Sequence, residues 1–135
     1  MTQPNPKPII FIRILAGLLF VLSLFALTGS LFLWGQGFIL TFPKGVDYSF
    51  PVTDILVNAP ACLLASIGLW TLKRYGYIAA QFVAGFIVYG SIEIFVKAAQ
   101  GSLPASPEII IPQVIAMALA AALVFYLWRV QNLFA

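Results

Sequence analysis

The chain has 135 residues, 62% of them apolar and only 8% charged, with a formal net charge of +3. Soluble domains average roughly 45–50% apolar and ~25% charged. A chain this short cannot hide the excess in one core, so its apolar surface is predicted to face lipid. The small, dispersed charge excludes a nucleic-acid surface. Without histidine there are no His-based metal or haem sites and no His general base, and the single cysteine, Cys62, excludes an intrachain disulfide and a CxxC redox pair.

Residues 1–8 are polar and proline-rich and are expected to form an extended tail, with Pro8 suited to a helix start. From Ile9 the chain carries no charge before Lys44 except Arg13. This run is far longer than the 7–15 apolar residues of a secretory signal, and the stretch around Ala26-Leu27-Thr28 is a poor cleavage site, so it reads as a retained first helix. As one helix its roughly 35 residues would reach about 50 Å, beyond a ~30 Å hydrocarbon core. A break is therefore expected at Thr28-Gly29-Ser30 or at Gly35-Gln36-Gly37. The first helix is placed at about 9–33, followed by a re-entrant or interfacial stretch to about Phe42.

Residues 43–51 (PKGVDYSFP) combine turn formers and charges and read as a loop. A second helix is expected over about 52–72, then a tight turn at Lys73-Arg74-Tyr75-Gly76. A third helix follows over about 77–99, a loop at 100–107 (QGSLPASP), a fourth helix over about 108–130 and a tail at 131–135. Each of these three runs has spanning length. The predicted fold is an all-α, single-domain, four-helix transmembrane bundle.

With four spans, Lys7, Arg13, Lys73, Arg74 and Arg129 fall on one side, and Lys44 and Lys97 on the other. The basic excess assigns the N-terminus and the C-terminus to the cytoplasm of a plasma (inner) membrane. The acids Asp47, Asp54, Glu93 and Glu108 lie at or near the external side. Trp70, Tyr75, Tyr77 and Trp128 fit the inner interface, and Trp34, Phe42, Tyr48 and Phe50 the outer one. Small residues at four-residue spacing (Gly76, Ala80 and Ala84; Ala61, Ala65 and Gly68; Ala118 and Ala122) predict close helix contacts.

Polar groups in membrane spans are costly and need a reason. Tyr89, Glu93, Lys97 and Gln100 share a face of the third helix, with Glu93 and Lys97 in the favourable i,i+4 order. Asp54 and Asn58 lie one turn apart on the second helix. There Pro60 cannot donate to the Leu56 carbonyl and favours a kink. Gln113 lies at comparable depth on the fourth helix. Together Glu93, Lys97, Asp54, Asn58, Tyr89 and Gln113 are candidates for an outward-opening ligand site, such as one for a lipid or quinone headgroup. The competing structural reading is a self-satisfied Glu93–Lys97 pair, with the others bonded between helices or to interfacial water. Gln81 suits an interhelical hydrogen bond, Arg13 can snorkel to headgroups, Lys73 and Arg74 set topology and meet anionic lipid, and Cys62 reads as a small packing residue. No phosphate loop, HExxH or GxSxG is present, so the chain is not expected to be an enzyme.

Gly68-Leu69-Trp70-Thr71-Leu72-Lys73-Arg74, an apolar helix, and then Tyr89-Gly90-Ser91-Ile92-Glu93 resemble part of the N-terminal membrane domain of quinoprotein (PQQ) glucose dehydrogenases. The Gly-rich stretch from Gly29 to Gly37 is similar to that domain's first loop. The resemblance covers about half of the chain. It departs from that family in having four spans rather than five and no attached periplasmic catalytic domain. It implies a membrane anchor or ubiquinone-side partner of a separate periplasmic dehydrogenase, with Glu93 near the quinone level.

The expected function is that of a small non-catalytic membrane protein, an accessory or anchoring subunit. It would bind a lipid- or quinone-like molecule or a protein partner at the outer leaflet, through Glu93, Lys97, Asp54 and Asn58. Membrane lipids, a larger membrane or periplasmic protein, or further copies of the chain are the expected partners, and no cofactor beyond a bound lipid or quinone is expected. The alternative is an oligomeric small-solute transporter or channel with Glu93 in its site.

Overall fold

The computed structural model describes residues 6–35 and 52–135. The helices are α1 (Pro6–Gly35), α2 (Asp54–Trp70), α3 (Arg74–Ala99) and α4 (Pro107–Arg129). Helix accounts for 88% of the described residues, and no strand occurs among them. α1, α3 and α4 are long and apolar enough to cross a membrane, whereas α2 is a shorter apolar helix. The expected re-entrant stretch and the 43–51 loop lie outside the described residues, as do Lys44, Asp47, Phe42, Tyr48, Phe50 and the Trp34 side chain.

α1 is unbroken through Thr28-Gly29-Ser30 and starts at Pro6 rather than Ile9. The first turn tolerates Pro6 and Pro8 because its amides have no intrahelical acceptors to lose. Thr28 Oγ1 returns its hydrogen bond to the Leu24 carbonyl at 2.8 Å, so the hydroxyl stays within the helix instead of breaking it. Thirty residues rise about 45 Å, which carries the ends of α1 into the interfacial regions.

α2 opens with a π turn over Asp54–Asn58, in which the Ala59 N–H reaches the Asp54 carbonyl. Pro60 has no N–H for the Leu56 carbonyl, and the widened turn absorbs that mismatch. The helix ends sooner than the sequence suggests. Leu72 takes a left-handed φ of 54° while Lys73 N–H bonds the Gly68 carbonyl at 2.8 Å, the closure of a Schellman turn. The connection is therefore Thr71–Lys73, and α3 begins at Arg74 instead of Tyr77.

Consecutive helices pack antiparallel, α1 on α2, α2 on α3 and α3 on α4. Two buried serines hold the first pair: Ser23 Oγ donates to the Ala59 carbonyl and Ser66 Oγ to the Ala16 carbonyl, each at 2.8 Å. The second pair closes at Gly68 and Gly76, whose backbones touch. Ala65, Ala80 and Ala84 continue that seam, fully buried. On α4 the small residues set against the core are Ala116, Ala120 and the expected Ala122, but not Ala118. Ala118 is exposed and Ala122 half-buried, and in so alanine-rich a run the helical phase is set by the buried Leu123 and Leu127.

The basic residues Lys7, Arg13, Lys73, Arg74 and Arg129 gather at one end of the bundle. There Arg13 stacks over the Trp70 ring at 5.5 Å, Phe11 meets Tyr126 edge-on at 4.4 Å, and Tyr126 OH donates to the Pro8 carbonyl at 3.2 Å. The residues after α4 are not a free tail. Gln131–Leu133 form a 3-10 turn, Arg74 N–H donates to the Ala135 carbonyl, and Ala135 N–H to the Leu72 carbonyl. Phe134 packs beside Tyr77. The tight core fills this half: Ile12, Leu15 and Leu19, then Leu69, Val83, Leu123 and Leu127.

Candidate functional site

The described residues leave the opposite half of the bundle unfilled. α1 and α4 meet through Tyr126 at the basic end, and beyond that contact a cavity of about 440 Å³ lies between them, walled by all four helices. Leu22, Phe25, Ala26, Phe86, Ile87 and Ala116 make most of the wall apolar. Ser30, Asp54, Asn58, Ser91 and Gln113 place polar groups at one end of it. A mainly apolar cavity with a few convergent polar groups is the usual form of a small-molecule site.

The polar groups come from different helices at one depth because the antiparallel register aligns them. On α2, three side chains one turn apart form a directed chain. Cys62 Sγ donates to Asn58 Oδ1 at 3.3 Å, and Asn58 Nδ2 donates to Asp54 Oδ1 at 3.0 Å. Buried Cys62 thus orients the Asn58 amide, presenting its N–H to the carboxylate. Across the cavity, Ser91 Oγ of α3 donates to Gln113 Oε1 of α4 at 3.1 Å. Asp54 Oδ2 and Gln113 Nε2 have no hydrogen-bond partner among the described residues. Both side chains are half-buried, and both residues line the open volume.

Three of the six sequence candidates, Asp54, Asn58 and Gln113, are brought together here. The other three are not in the wall. Glu93 and Lys97 form their own i,i+4 ion pair at 2.9 Å, with side chains about a quarter to a third exposed. Tyr89 is 66% exposed on the outer face of α3. The helical phase explains the split: Gly90, Ser91 and Ile94 point inward, and two residues beyond Ser91 the helix has turned Glu93 away.

Ser30 and Ser91 were missed as lining residues because serine is common in membrane helices. The seven-residue spacing of Ser23 and Ser30 on α1, and the position of Ser91 on the stripe of Gly76, Ala80 and Ala84 on α3, are the signals that find them. Gln81 makes the interhelical bond its position suggests, Nε2 donating to the Leu123 carbonyl at 3.0 Å. That carbonyl lies in a second π turn, Ala122–Tyr126, where altered backbone pairing leaves an acceptor accessible. Among the described residues no cluster of three metal-ligating side chains occurs.

No family model matches this sequence, and no curated protein or solved structure is significantly similar to it.

Proposed function

We propose that the chain is a non-catalytic, multi-pass protein of the plasma (inner) membrane that binds a lipid- or quinone-like amphiphile, as an accessory or anchoring component. The observation that carries this reading is the cavity shared by four helices. It combines Asp54, Asn58 and Gln113 at headgroup depth with an apolar wall of Leu22, Phe25, Ile87 and Ala116. The five basic residues at the opposite end favour a cytoplasmic location for both termini, which sets the polar end of the cavity in the outer leaflet. An accessory role agrees with the resemblance to a quinoprotein membrane domain, though the ligand groups lie on the Asp54 side of the bundle and not at Glu93.

The test is photolabelling in the native membrane with a long-chain alkanol carrying a diazirine. Saturable label on Phe86–Ile94 that disappears in Gly90→Leu supports the reading. Nothing lies within 4 Å of a Cβ built at Gly90, so leucine there fills the cavity without a clash. Label confined to lipid-facing residues such as Ile14 and Val21 argues against it.

A second reading, an oligomeric transporter of a small solute, draws support from α4, only 11% of whose span is buried within the chain. Neighbouring copies covering α4 would enclose Glu93 and Lys97. In that case Glu93→Gln stops flux while the protein still folds.

A further inference from the structure

We infer that the amphiphile held in this cavity carries a cationic nitrogen at its polar end, an alkyl- or arylammonium rather than a quinone or a phosphate head; this rests on the cavity being the ligand site. The charge pattern of the wall is the argument. Among the described lining residues Asp54 is the only ionisable side chain, and none is a lysine or arginine. Of the described cations, five lie at the far end of the bundle and Lys97 is bonded to Glu93. A phosphate head would meet a carboxylate with no counter-charge beside it among the described residues.

A quinone offers acceptors only: it suits the Gln113 amide but leaves the Asp54 carboxylate without a counter-charge. The Asn58 amide is turned toward Asp54 by the Cys62 contact, and the Ser91 hydroxyl is spent on Gln113. Besides the Gln113 amide the cavity presents one anionic acceptor, Asp54 Oδ2, and its wall includes the aromatic side chains Phe25 and Phe86. A carboxylate and aromatic rings in one cavity are the groups that recognise ammonium ions. A half-buried carboxylate with no described cation beside it favours a cationic group on the ligand. The cavity also exceeds the roughly 300 Å³ lower bound of small-molecule sites, leaving room for a headgroup and part of an apolar body.

Two probes of one shape separate charge from shape: benzyltrimethylammonium and its neutral carbon isostere, neopentylbenzene. Binding is read by saturation-transfer NMR on the chain in neutral-lipid nanodiscs, with empty nanodiscs subtracted. The cation is expected to bind saturably, at least about tenfold more tightly than the isostere, and to weaken by a similar factor in Asp54→Asn. Asp54→Glu, which keeps the charge, should retain it, so a folding defect in the first variant does not mimic the result. Equal binding of both probes, with Gly90→Leu abolishing both, overturns the cationic assignment and leaves the amphiphile site standing. Absence of saturable binding by either probe overturns both.

Discussion

Gly68 of α2 and Gly76 of α3 meet backbone to backbone, and a methyl group built on either would overlap the other's main chain. With no hydrophobic force between helices in lipid, association depends on such close contact and on interhelical hydrogen bonds. Gly68→Ala or Gly76→Ala is therefore expected to force the helices apart at a cost of about 1–3 kcal/mol. Thermal unfolding in detergent should show this as a lowered midpoint for each variant. Gly17→Ala, at a position with open space around its Cβ, should leave the midpoint near that of the parent.

Gln81 reaches from α3 to the Leu123 carbonyl in the α4 π turn. Gln81→Leu removes that bond and is expected to destabilise by about 0.6 kcal/mol, with roughly 1.7 as a ceiling, the range for interhelical bonds in membranes. Denaturation in mixed micelles is the appropriate readout. An effect well above that range would mean that Gln81 also organises the π turn.

The Glu93–Lys97 pair lies outside the cavity, partly exposed. Glu93→Gln or Lys97→Met alone should cost a few tenths of a kcal/mol, and the double variant should recover part of it, with a coupling of roughly 0.3–0.5 kcal/mol, as for exposed helix pairs. Ligand binding to the cavity should be unaffected by all three. Loss of solute flux in Glu93→Gln, with stability intact, would instead favour the transporter.

Cys62 is fully buried and is the only thiol in the chain. Maleimide should label it only as the bundle unfolds, following the same transition as loss of helix signal. Cys62→Ala keeps the packing small but releases the Asn58 amide, so ligand affinity is expected to fall more than stability does. Both can be read on one preparation by titration and melting.

The residues that carried the fold into the sequence are those whose chemistry acts over a whole segment. Apolar runs bounded by proline, glycine and charge located the four helices, and the Gly76–Ala80–Ala84 stripe located a real contact. Local backbone events were harder to see. Leu72 in a left-handed turn shortens α2, where a glycine would have advertised the stop. The π turns at Asp54–Asn58 and Ala122–Tyr126 have no mark in the composition, and the alanine-rich run of α4 hides that Ala120 and not Ala118 meets the core.

The candidate site was half legible. Asp54, Asn58 and Gln113 were found because depth along a helix can be counted from its ends. Which of two polar faces of α3 turns inward depends on where α2 and α4 lie. The Gly76–Ala80–Ala84 stripe continues through Ile87 to Ser91 and marks that face as inward, but the charged face drew attention because charge in a membrane is the more costly feature.

The most direct test of the account is native mass spectrometry of the chain extracted gently from its own membrane, beside the Gly90→Leu variant. The account predicts a stoichiometric small-molecule adduct on the parent chain and none on the variant, whose added side chain occupies the cavity. A parent chain that flies bare, or an adduct equally abundant on Gly90→Leu, would contradict it.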